Sequence, residues 1–104
     1  MARVIDLDVV AVRAGLDEDR ILLVDVREPH EFAYASIPGS VNLPLSRFDP
    51  ADLPEAGGRD LVFLCAAGVR SVSAVERCHL ARLPWNAHLA GGIKAWIGAG
   101  GEVE

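Results

Sequence analysis

A thiol, a run of small residues, a cation and a hydroxyl follow one another in Cys65-Ala66-Ala67-Gly68-Val69-Arg70-Ser71. Only the thiolate form of a cysteine is a strong nucleophile, and a helix N-terminus or a neighbouring arginine favours that form. Both are expected here. Residues 61–64, Leu-Val-Phe-Leu, are β-formers in a short apolar run, consistent with a strand buried on both faces. Ser71 opens a helical pattern and is a favoured N-cap residue. A strand that ends in Cys65, turns through small residues and feeds a helix can aim several backbone N–H groups at one point. Cys65 Sγ, or an anion attached to it, would sit there as an accessible, acidified sulfur. The pattern predicts sulfur or acyl chemistry through a covalent bond to Cys65. Gly68 supplies the positive φ that such a loop requires. A cation at a helix N-terminus is unfavourable, so Arg70 is expected to face an anion.

The 104 residues suit one domain, 1–104, long enough to bury about two-thirds of its unfolded surface. Hydrophobic residues make up 51% of the chain, which supports a packed core without staples. The net charge of −5 argues against nucleic acid or an anionic membrane as a partner, so any anion site must be local. Cys65 and Cys78 are the only cysteines, and their spacing suits neither a metal site nor a disulfide framework. No metal or cofactor is therefore expected. Scarce cysteine fits a reducing, cytoplasmic setting. Asp6 and Asp8 interrupt any apolar signal core. No run reaches the ~18 apolar residues of a membrane span.

The elements that must position the loop follow from periodicity. Residues 3–5 suit a short strand. Asp6 is a plausible N-cap for a helix over 7–14, with Gly15 as its stop. Residues 21–26, Ile-Leu-Leu-Val-Asp-Val, read as a second strand. Functional groups in an open parallel sheet gather beyond the carboxyl ends of the strands, which places Asp25 and Arg27 at the same edge as Cys65. They are read as supporting residues, with a structural ion pair or a cap on the next loop favoured over direct catalysis. A short helix starts near Pro29, a short strand lies at 41–43, and 44–54 is irregular or single-turn helical. A helix over 71–82 carries Ala74, Val75, Cys78 and Ala81 on one face, and Leu83-Pro84 ends it. A last strand at 85–89, a Gly91-Gly92 turn and a helix over 93–98 complete the chain. Alternating strands and helices predict an α/β domain, a mainly parallel sheet with helices on both faces and right-handed crossovers.

Four patches in this order resemble the rhodanese-like, or sulfurtransferase, domain. They are Asp25-Val26-Arg27-Glu28 with Glu31-Phe32, Ile37-Pro38-Gly39-Ser40 with Val41-Asn42, the Cys65–Ser71 loop, and Gly91-Gly92-Ile93-Lys94-Ala95-Trp96. The resemblance covers about residues 3–96. It implies that Cys65 accepts a sulfane sulfur and becomes a persulfide. Residues 66–71 would bind the substrate, cradling the outer sulfur with N–H groups while Arg70 holds the anionic donor. A thiol, cyanide or a sulfur-relay protein would then take the sulfur. Ala35-Ser36 stand where the family often has Gly-His, Pro84 where a helix-ending Gly is frequent, and Leu64 where an aromatic is frequent. The implied helix stop is proline geometry rather than a left-handed glycine.

Two other readings compete. A phosphatase or arsenate reductase also uses a Cys loop ending in Arg, but with one residue more between them and often a His before the Cys. A non-catalytic binding module on the same fold would be expected to lose the nucleophile or the loop glycine, and this chain keeps both. Cys78 reads as core. His30, His79 and His88 show no ligand spacing and read as surface or half-buried imidazoles rather than bases.

Overall fold

In the computed structural model, which describes residues 3–104, the chain runs β1 (Ile5–Leu7), α1 (Val9–Asp17), β2 (Ile21–Asp25), α2 (Pro29–Tyr34), β3 (Val41–Asn42), β4 (Asp60–Leu64), α3 (Arg70–Leu80), β5 (Ala87–Leu89) and α4 (Gly92–Gly98). Residues 1 and 2 of the expected 1–104 domain lie outside the described residues. Two single 3-10 turns, Leu45–Arg47 and Pro50–Asp52, occupy the stretch read as irregular. The five strands form one sheet in the order β1-β5-β4-β2-β3, and every pairing is parallel.

β4 lies at the centre, between β2 and β5, and Leu61–Leu64 are buried completely or nearly so. Its side chains alternate between two cores, as the period of two requires. Leu61, Phe63 and Cys65 join Leu22, Val24 and Val26 of the β2 segment under Ala74, Val75 and Cys78 of α3. Val62 and Leu64 join Ile21 and Leu23 under Val12 of α1 and Ile93 and Trp96 of α4. Each fully covered aliphatic or aromatic side chain contributes about 1.5–3 kcal/mol over its exposed state. The β1-to-β2 and β4-to-β5 crossovers run in opposite directions across the sheet, with their helices on opposite faces, which is what a single hand of crossover requires.

Several boundaries differ from expectation. β1 lies at Ile5–Leu7 rather than 3–5, because Asp8, not Asp6, caps α1 through an Oδ1 bond from Ala11 N–H at 2.8 Å. Asp6 is left inside β1, opposite His88. Gly15 does not stop α1, which continues to Asp17. β5 is shorter than 85–89 because only Ala87–Leu89 find partners on both β1 and β4 or on β1 alone. The end of α3 is also corrected. Arg82 adopts a left-handed φ of 60°, its N–H bonds His79 O at 3.0 Å, and Leu83 N–H bonds Cys78 O at 2.9 Å. This is the glycine-type helix stop made without glycine, two residues ahead of Pro84.

Candidate functional site

Cys65 follows the last residue of the central strand, on the side of the sheet that α3 covers. The chain then turns through Ala66 to Val69, with Gly68 at φ 90°. That turn brings Gly68 N–H to 3.2 Å and Ser71 N–H to 3.3 Å from Cys65 Sγ, with Ser71 Oγ at 3.5 Å. Burial raises the thiol pKa, but hydrogen bonds from the Ser71 hydroxyl and from the N–H groups of Ser71, Gly68 and Ala67 outweigh it, and the net shift is downward. The ring of inward amides is present. The expected accessibility is not: Cys65 is 1% exposed, with α3 over its side chain and the first turn of α4 against its carbonyl. Ala67 and Val69, the latter 75% exposed, form the outer surface of the loop.

α4 holds this loop from behind. Its first-turn N–H groups, Ile93 and Lys94, donate to Cys65 O at 2.9 Å and Ala66 O at 3.1 Å. Helix-start donors are thus satisfied by loop carbonyls, which leaves the loop N–H groups facing the sulfur.

Ser71 is not the N-cap. Val69 occupies that position, and α3 already includes Arg70. The Ser71 hydroxyl, fully buried, instead bridges the thiol and His88 Nδ1, at 2.7 Å from the latter. His88 is 4% exposed, with Nε2 at 2.6 Å from Asp6 Oδ1. The expectation that His88 is a surface or half-buried ring is corrected. A polar residue within the apolar strand β5 signalled a partner, since a buried imidazole must be hydrogen-bonded. His30 and His79 are exposed.

Arg70 meets an anion, but one supplied by the chain. Its two terminal nitrogens donate to Glu31 Oε1 at 2.7 Å and Oε2 at 3.0 Å. A guanidinium carries five N–H donors, so this fork leaves donors for a second anion while fixing the plane of the group. Glu31 also accepts from Glu28 N–H at 3.0 Å. Mainly through the Arg70 bonds, against an opposing effect of burial, its pKa falls from 4.5 to about 2. A depressed carboxyl stabilises the fold above its unfolded pKa and loses that contribution as pH falls through the folded value. Glu31→Gln is therefore expected to cost about 1 kcal/mol above pH 5 after solvent screening. The gap to the unmodified protein should close between about pH 4.5 and 2. Urea midpoints measured across pH 2–7 check this; a gap independent of pH would place Glu31 outside the pair.

Asp25 and Arg27 do not reach the thiol. They form a buried ion pair, with Arg27 terminal nitrogen to Asp25 Oδ2 at 2.7 Å and side chains 6% and 0% exposed. The same terminal nitrogen of Arg27 donates to Ala35 O at 2.7 Å, just beyond α2. Cys78 is buried in the α3 core, where burial pushes its thiol up to about 11. Among the described residues no helix is long and apolar enough to cross a membrane, and no cluster of His, Cys, Asp and Glu is arranged to hold a metal ion.

A parallel α/β domain with a cysteine at the carboxyl end of its central strand, cupped by the amides of a strand-to-helix loop, defines the class of the molecule. The family model described as Rhodanese-like domain matches residues 8–99, and the chain belongs to that family. The sulfurtransferase of Allochromatium vinosum is 34% identical over 98 residues, covering 92% of this chain and 89% of that protein. The uncharacterized protein slr1261 of Synechocystis is 42% identical over 83 residues, covering 80% of this chain. The chain spans about half of that relative's length, 46%. The crystal structure of a rhodanese-related protein from Thermoplasma volcanium superposes with a TM-score of 0.79 at 31% identity, covering 95% of this chain and 96% of that one.

Proposed function

We propose that the protein is a sulfurtransferase that takes a sulfane sulfur onto Cys65 and hands it to a thiophilic acceptor. The observation that carries this reading is the convergence of Gly68 and Ser71 N–H groups on Cys65 Sγ, at 3.2 and 3.3 Å. With thiosulfate as donor, the Cys65 thiolate attacks the outer sulfur. The S–S bond of the donor breaks, and sulfite leaves with the bonding pair. Cys65 then carries a persulfide whose charge the loop amides stabilise. Cyanide or a thiolate attacks the outer sulfur in turn, and Cys65 leaves as the thiolate. Amides that already bond Sγ itself favour a single added sulfur atom over a tetrahedral phosphoryl group.

Arg70 binds the anionic donor through the N–H groups that Glu31 leaves free. Arg70→Ala is expected to lower kcat/KM for thiosulfate by about 1.5–3 kcal/mol, the scale of a charge-assisted hydrogen bond. Steady-state kinetics with cyanide as acceptor measure this, and unchanged kinetics remove Arg70 from the donor site. The reading as a whole is tested by mixing protein with thiosulfate and recording intact mass. A gain of one sulfur atom, mapped to the peptide holding Cys65 and discharged by cyanide as thiocyanate, is expected. No gain, or sulfur mapped to Cys78, overturns it.

A further inference from the structure

We propose that His88, held by Asp6, is the store for the Cys65 proton, reached through the Ser71 hydroxyl. The inference rests on Cys65 being the reacting thiol. Four polar groups stand in line: Sγ to Ser71 Oγ at 3.5 Å, Oγ to His88 Nδ1 at 2.7 Å, and Nε2 to Asp6 Oδ1 at 2.6 Å. Three of the four are buried, while the Asp6 side chain is 73% exposed. His88 points to the opposite face from Ala87 and Leu89, and its cross-strand neighbours are Asp6 of β1 and Phe63 of β4.

The chemistry of the donors sets the direction. An ionised Asp6 only accepts, so Nε2 carries a hydrogen and Nδ1 of the neutral ring is an acceptor. Ser71 then gives its single proton to Nδ1 and turns a lone pair toward the Cys65 thiol. From this state two protons move together. The S–H bond breaks as Oγ gains that proton, and the Ser71 O–H bond breaks as Nδ1 gains the other. Thiolate and imidazolium result, Ser71 is restored with its O–H aimed at the sulfur, and both ring N–H groups have acceptors. No external base is consumed. The buried thiolate gains a nearby cation, and the imidazolium lies between two anions.

The other ionisable groups around this line are few. Arg70, at the start of α3, is raised in pKa by Glu31 and, more weakly, by the Cys65 and Asp25 charges. β4 offers only Phe63 beside His88, α4 contributes backbone N–H groups, and Lys94 is exposed. Among the described residues, Asp6 on β1 is the one carboxylate bonded to the ring. Ser71 touches the sulfur, whereas His88 and Asp6 act through it as positioning residues.

The test reads the thiol directly, with no sulfur donor present. Ultraviolet absorbance of the thiolate is followed from pH 5 to 10, with Cys65→Ser as baseline. His88→Asn keeps a hydrogen-bonding group beside Ser71 but cannot hold a proton. It is expected to raise the Cys65 midpoint by at least one unit, an about tenfold smaller thiolate fraction near pH 6. Coupling is reciprocal, so the His88 midpoint, read by nitrogen-resolved NMR, should fall in Cys65→Ser. A Cys65 midpoint unmoved by His88→Asn, or a His88 midpoint unmoved by Cys65→Ser, overturns the proposal. If His88→Asn does not fold, Asp6→Asn at the exposed end decides: its Cys65 midpoint should rise, and an unchanged one counts against the relay. Coupled titrations in a protein that loads no sulfur would overturn the sulfurtransferase reading and leave the relay standing.

Discussion

Gly92→Ala is expected to cost about 2–5 kcal/mol and to disorganise the cysteine loop. Two terms add. Gly92 has a φ of 64°, a left-handed conformation in which a side chain costs about 1–2 kcal/mol. A Cβ placed there would also lie 2.4 Å from Cys65 O, 2.5 Å from Ala66 O and 2.6 Å from Ala66 C. These are backbone atoms with no rotamer to yield, so the chain itself must shift, at about 1–3 kcal/mol. The displaced atoms are the carbonyls to which Ile93 and Lys94 donate. Moving them turns the amides at Gly68 and Ser71 away from the sulfur, and the Cys65 pKa should rise along with the loss of stability. Gly98→Ala is the matched control, at the other end of α4 with no atom within 4 Å of its would-be Cβ. There alanine should be neutral or stabilising by up to about 1 kcal/mol. Urea unfolding of both variants, with thiolate absorbance, checks the contrast; equal stability of the two would mean that α4 does not hold the loop.

That contrast also shows why parts of the site were legible in the chain and others were not. The loop is local: strand, thiol, glycine and helix are contiguous, so their order alone predicts converging amides. The unbroken apolar runs of β2 and β4 likewise mark strands buried on two faces. The partners of the loop are far away in sequence. Glu31 stands 39 residues from Arg70, and Asp6 stands 82 from His88. Arg70 did signal its need, since a cation at a helix start calls for an anion, but nothing local distinguishes a carboxylate of the chain from a bound substrate. Two aspartates near α1 could each cap it, and only the pairing of β1 with β5 decides that Asp6 belongs to the strand. The burial of Cys65 is illegible in the sequence for the same reason. What covers a strand end is settled by which helices return to it, here α3 and α4, and not by the residues beside it.

Asp25→Ala is expected to lose about 3–5 kcal/mol, because it leaves the Arg27 guanidinium buried without its counter-charge. The carboxylate accepts from Arg27 three times through the side chain and once through the backbone N–H. Arg27→Met should cost a similar amount by stranding the carboxylate. Removing both is expected to cost less than the sum, by the upper part of the about 0.5–3 kcal/mol range of coupled neighbours. Urea unfolding of the two single variants and the double variant measures this, and strict additivity would mean that the pair is not a unit. The consequence extends to the site. Arg27 ties the end of β2 to α2 through Ala35 O at 2.7 Å and, more weakly, Glu31 O at 3.4 Å. Glu31 is the residue whose carboxylate fixes Arg70. In Asp25→Ala that anchor loosens, so thiosulfate capture should weaken toward the level of Arg70→Ala, even at temperatures where the variant is fully folded. The buried pair then acts on the loop by holding the helix that carries Glu31, which explains why a strand-end carboxylate can matter to a thiol it never touches.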